Sequence, residues 1–132
     1  MRLGAPTDGQ YGEAARTVVP VTGTTLDEAL AEPELGWPEV GAVWVDTQGH
    51  EAHVLAGAEG AARSGVPFVV ELWPYGLRRA DGLERLLDLV AERFRRVVDL
   101  RDPGARPRPA AELAALADGL HGVGHTDVLL LP

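Results

Sequence analysis

The order of apolar and polar positions divides the chain into alternating strands and helices. "AVWVD" (42–46) is apolar without interruption up to its acid, and "PFVVELW" (67–73) is apolar apart from one acid. Runs of this kind suit strands covered on both faces, as in a parallel sheet. "RRVVDL" (95–100) and "TDVLLLP" (126–132) read as two further strands. The β-branched "TVVPV" (17–21) reads as a short edge strand, because Pro20 has no N–H to give to a ladder. The Thr25-x-x-Glu28 capping-box pattern opens a short helix. Gly49 to Arg63 predicts a helix ended by Ser64-Gly65. Asp81 is placed to cap an amphipathic helix with Leu83, Leu86, Leu87, Val90 and Phe94 on one face. Ala110 to Asp118 predicts the last helix, with Pro109 at its entrance and Gly119 at its exit. Prolines punctuate two loops, at 32–41 and 102–109.

Strands alternating with helices are the βαβ signature, so the expected class is α/β with a largely parallel sheet and right-handed crossovers. Residues 1–16 show no periodicity and read as a loose tail before a single domain at 17–132. The length of 132 residues agrees with one domain, and an apolar fraction of 45% supports a packed core. No stretch approaches the roughly 20 apolar residues of a membrane span. The first sixteen residues lack the apolar core of a secretory signal, so the expectation is a cytoplasmic protein without a membrane partner. The absence of cysteine excludes disulfides, a thiol nucleophile and thiolate metal sites. All twelve basic residues are Arg and the net charge is −8, which argues against nucleic-acid binding. "RRADG" (78–82) and "RFRR" (93–96) read as solvated helix ends.

In open α/β sheets, ligands sit beyond the carboxyl ends of the strands. Asp46 ends one strand and Glu71 lies near the end of another. If those strands are neighbours, the two acids share a crevice, where they can take a proton, bind a hydroxyl or amine, or hold a divalent cation. The alternative is that Asp46 caps the next turn and Glu71 pairs with an Arg; spacing alone leaves both readings open. "HEAH" (50–53) is one residue short of the zinc motif H-E-x-x-H, and its two histidines read as first-turn polar positions, His50 lying nearer the strand end. "GLHGVGH" (119–125) is a glycine-rich turn rather than a dinucleotide fingerprint. Trp44, Leu72 and Trp73 read as core or crevice wall.

In order and spacing, "TTLDEAL", "VGAVWVDTQGHEAHVLAGAEGA" and "PFVVELWP" resemble the FkbM family of S-adenosylmethionine-dependent methyltransferases. The matching positions are Thr25-Leu26-Asp27, then Asp46 with Gly49 and Glu51, then Val54-Leu55 with Gly57-Ala58, then Glu71; "TDVLLLP" resembles the closing strand. The resemblance covers about residues 17–132 and implies a Rossmann-like class I methyltransferase fold of strand order 3-2-1-4-5-7-6, with an antiparallel C-terminal strand. "TVVPV" then stands as strand three and "AVWVD" as strand four. The family's glycine-rich cofactor turn and ribose-binding acid, which belong upstream, are not found in this chain. The resemblance therefore implies the C-terminal portion of the domain, with "AVWVD" as an exposed edge open to oligomerisation and the cofactor crevice left with one wall.

The implied activity is transfer of a methyl group from S-adenosylmethionine to a hydroxyl of a small-molecule acceptor, a sugar or secondary metabolite. By the same resemblance Asp46 stands on the base side, with His50 and Glu71 relaying a proton or orienting the hydroxyl. Gln48 and Trp73 line the acceptor crevice, and Glu51 fixes the turn that carries Asp46. No residue is assigned to the cofactor or to a metal. Two rivals stand beside this reading: a non-catalytic α/β partner module, and a metal-dependent hydrolase using Asp46, His50 and His53.

Overall fold

The computed structural model describes residues 11–12, 15–31 and 36–132. Five strands form one mixed sheet: β1 (Val43–Val45), β2 (Phe68–Leu72), β3 (Arg96–Asp99), β4 (Arg108–Pro109) and β5 (Thr126–Leu131). Their spatial order is β1-β2-β5-β3-β4. Six α-helices accompany them among the described residues: α1 (Leu26–Ala29), α2 (Glu51–Ala56), α3 (Glu59–Ser64), α4 (Pro74–Arg79), α5 (Leu83–Arg93) and α6 (Leu113–Gly119). The class is α/β, but the ladders are not mostly parallel. Only β1 and β2 pair in parallel, whereas β5 runs antiparallel to both β2 and β3, and β4 antiparallel to β3. Strands β1, β2 and β3 share one direction, and the insertion of β5 between β2 and β3 makes the neighbouring ladders antiparallel.

One face of the sheet is dry. Val45, Phe68, Val70, Val128 and Leu130 are each at most 2% exposed, and they pack with Leu55, Leu86, Val90 and Leu113 in a single core. Phe94 closes the far end of that core edge-on to Phe68, their ring centroids 5.6 Å apart. The other face alternates with it along the strands. Its residues Val69 and Leu129 are half-buried, and Trp44 of β1 is 68% exposed. At β1 and β2 the apolar runs are thus fully covered on one face only, whereas toward β3 the second face also closes, Val98 opposite Leu129 being buried. Among the described residues β1 is an edge, hydrogen-bonded to β2 alone.

Several local expectations are corrected. Residues 17–21 form no strand; Val18, Val19 and Val21 lie 69–91% exposed. A strand propensity reflects the fit of a side chain to a pleated, half-buried surface, and this segment meets no sheet. The helix expected over 49–63 breaks at Gly57-Ala58. Asp27 is the cause: its N–H donates to the Gly57 carbonyl at 3.0 Å, and its carboxylate accepts from Glu59 N at 2.8 Å and Gly60 N at 2.9 Å. It thereby caps α3 from a helix distant in sequence. Asp81 does not cap α5, whose N-cap is Gly82. Asp81 has φ +52 in the turn that ends the unforeseen helix α4, where Gly82 N donates to the Leu77 carbonyl at 2.8 Å. The capping box at Thr25 and Glu28 forms as expected.

Of the expected tail, residues 1–10 and 13–14 lie outside the described residues. Tyr11 packs edge-on to Trp73 and Tyr75, with centroid distances of 5.9 and 5.7 Å. No helix among the described residues is long and apolar enough to cross a membrane.

Candidate functional site

The parallel pairing of β1 with β2 makes the site. Val45 lies opposite Val70 in register, so the residues that follow them, Asp46 and Glu71, come side by side at the carboxyl ends. Neighbouring strands are about 4.8 Å apart, and two carboxylates at that spacing repel unless something joins them. Gln48 joins them: its Nε2 donates to Asp46 Oδ1 at 2.7 Å and to Glu71 Oε2 at 3.2 Å.

Reaching both acids bends the chain sharply. Gln48 sits at φ +54 and Gly49 at φ +102, both in the left-handed region. A Cβ on Gly49 would stand 2.4 Å from the Gly76 carbonyl oxygen of α4, so only glycine fits there. Glu51, wholly buried at the start of α2, fastens the turn from inside. Its Oε1 accepts from Thr47 N at 2.9 Å, Thr47 Oγ1 at 3.2 Å and Gly49 N at 3.1 Å. Its Oε2 is buried and has no partner. Leaving a buried acceptor unpaired costs about 1–3 kcal/mol, and more for a charged group. The three carboxylates form one cluster, with an oxygen from each within 4.8 Å of the others.

Burial pushes the Glu71 carboxyl up to about 7, helped by the negative charges of Asp46 and Glu51; His125 opposes the rise and Asp127 adds to it. Near neutral pH this group can give a proton as readily as take one. Glu71 and Gln48 open onto a cleft of about 400 Å³ that is also lined by Tyr11, Arg16, Trp73 and His125. The cleft is a pocket of ordinary ligand size with an aromatic wall and a few convergent polar groups.

Asp46, Gln48, Glu51, Glu71 and Trp73 are thus gathered at one place. His50 is not among them. It begins α2 on the other side of the turn, its ring 5.2 Å from that of His53, and both line a separate groove of about 340 Å³ with Thr25 and Leu26. Burial lowers the His53 pKa, with further lowering from His50 and Arg85, and its Nδ1 is buried without a partner. Among the described residues neither histidine joins Asp46 in a group of side chains that could share a metal ion.

His125, Tyr11 and Arg16 are cleft residues that sequence reasoning passed over. His125 had a usable signal. It immediately precedes β5, and the start of an antiparallel strand lies beside the end of its neighbour, here Thr126 opposite Leu72. Tyr11 and Arg16 had none, because they belong to an aperiodic stretch.

Two features that the resemblance to a methyltransferase would lead one to look for are absent among the described residues. These residues contain no glycine-rich strand-to-helix turn of the dinucleotide kind, and the side of β1 away from β2 carries no further strand. Compared with known proteins, the chain matches no family model, no curated protein and no solved structure.

Proposed function

We propose that this chain supplies the acceptor side of an S-adenosylmethionine-dependent O-methyltransferase, acting on a hydroxyl of a sugar or secondary metabolite. The observation that carries the reading is the strand pattern. In space the strands run β1-β2-β5-β3, with β5 reversed against both neighbours. The resemblance implies that same order, 4-5-7-6, for these same segments. Its strand-four acid is then Asp46, and the acid of strand five is Glu71.

Methyl transfer asks the protein to align a nucleophile and to accept its proton. Asp46 is exposed at the strand end and held by Gln48, which suits it to accept the hydroxyl proton. Glu71 and Gln48 orient the acceptor from the cleft wall, with the Trp73 ring beside them. Glu51 fixes the turn without reaching the acceptor, and His50 receives no part. The cofactor would supply the methyl group from a separate cofactor-binding half, on a longer polypeptide or on a partner chain. The bare edge of β1 and the half-covered face bearing Trp44 offer that half a place to pack.

Titrating the chain with S-adenosylmethionine in a calorimeter is therefore expected to give no binding at micromolar cofactor. Micromolar affinity for residues 1–132 alone would overturn the half-site assignment. A non-catalytic reading draws on the same bare edge, with the chain as a partner module of an intact enzyme. A stable complex through residues 43–45 that leaves methyl transfer untouched by Asp46→Asn would select it.

A further inference from the structure

The unpartnered oxygen of Glu51 raises a question that the acceptor-side reading does not answer. Three carboxylates converge at the turn after β1, and the donors given to them are the Thr47 hydroxyl, the amide of Gln48 and two backbone N–H groups. All of these are neutral. Exposed acidic clusters usually need nothing more than water. This one differs because Glu51 is 0% exposed and its Oε2 is sealed from water with no donor beside it. Glu51 therefore carries a bare buried oxygen while belonging to a cluster with two further acids, an arrangement that a positive charge would relieve.

We infer that the turn binds a hard divalent cation of calcium's size, through the carboxylates of Asp46, Glu51 and Glu71. Two ligands of one ion cannot stand further apart than twice the metal–oxygen distance. That limit is about 4.1 Å for magnesium and about 4.6–5.2 Å for calcium. An oxygen from each of the three acids lies within 4.8 Å of the others, so a small inward shift of these side chains brings all three within reach of a calcium ion, and a larger shift is needed for magnesium. The donor set is all oxygen, which favours such cations over zinc or copper, and the two histidines face the other groove. Turning the Gln48 amide over would present its Oε1 where Nε2 now bridges Asp46 and Glu71, adding a fourth oxygen. Asp46 is exposed and Glu71 half-buried, so water or an acceptor hydroxyl can complete the coordination sphere from the cleft.

The site coincides with the proposed acceptor site, but the inference rests on the carboxylate geometry and not on methyl transfer. Its test reads binding alone. Chelator-treated chain titrated with calcium chloride in a calorimeter should take up one Ca²⁺ per chain, saturably, with an affinity of about 10⁻⁴–10⁻³ M. Magnesium should bind about tenfold more weakly. Glu71→Gln should weaken calcium binding by about tenfold or more, as should Asp46→Asn. Glu51→Gln is the decisive variant, because it keeps the shape and an acceptor oxygen for the turn while placing a neutral amide at the buried position. It should remain folded by circular dichroism and lose saturable calcium binding. No saturable binding by the parent chain up to about 10 mM calcium would overturn the inference. So would equal affinity in the parent and in the folded Glu51→Gln chain.

Discussion

The two faces of the sheet have different fates. On one, Phe68, Val70, Val128 and Leu130 are sealed under α2, α5 and α6. On the other, Val69 and Leu129 are half-covered, and Trp44 stands in solvent at the edge of β1. The same strands therefore serve two purposes. The dry face holds the domain together, while the open face and its edge leave a surface suited to a second layer. Glu71 shares the open face with Val69, since residues two apart on a strand point the same way. The acids thus lie on the side where cover is incomplete.

Substitutions can break this comparison. Phe68→Ala, on the dry face, should cost about 3–5 kcal/mol in urea unfolding. Gly49→Ala comes next, because any side chain there meets the Gly76 carbonyl oxygen and must hold a left-handed φ. Its backbone term alone is about 1–2 kcal/mol, and the distorted turn should also disturb Gln48. Trp44→Ser, on the open face, should change stability by no more than about 0.5 kcal/mol. Comparable losses for Phe68→Ala and Trp44→Ser would mean that the open face is packed after all.

The smallest effect is a pH dependence of stability. Glu71 titrates at about 7 in the folded chain, above the ordinary carboxylate value of 4.5, so between those values the folded state holds a proton that the unfolded state has released. Stability should fall as pH rises across that interval and level off above about 7. His53 acts with the opposite sign. Its pKa is lowered from 6.5, so its contribution is lost as pH falls below that value. Melting temperatures of Glu71→Gln across pH 4.5–8 should lack the Glu71 decline and keep the His53 rise.

Much of the fold was legible because a buried strand needs little more than a run of apolar residues. Strands β1, β2, β3 and β5 fall where those runs predict. Helix α4 was hidden by its length and by Pro74, which reads as the end of a strand as well as the start of a helix. The break between α2 and α3 was hidden because Asp27, which makes it, lies on α1. The number of covered faces was also illegible, since a run such as "VWV" reports what the strand can bury, not what lies over it.

At the site, Asp46 and Glu71 stood out as acids at strand ends, and parallel pairing brings them together. The separation of His50 from them turns on the direction in which the chain leaves Gly49, and the role of His125 depends on the antiparallel entry of β5. Neither leaves a mark in residue spacing.

The central claim is that the strand-end acids do the work on the acceptor. It is tested most directly by methyl transfer from labelled S-adenosylmethionine to hydroxyl acceptors, measured on the chain together with the cofactor-binding half that the proposal calls for. Asp46→Asn is expected to lower turnover by about 100-fold or more while the melting temperature stays nearly unchanged. Retained turnover with a lowered melting temperature would contradict the claim and leave Asp46 as the cap of a buried strand.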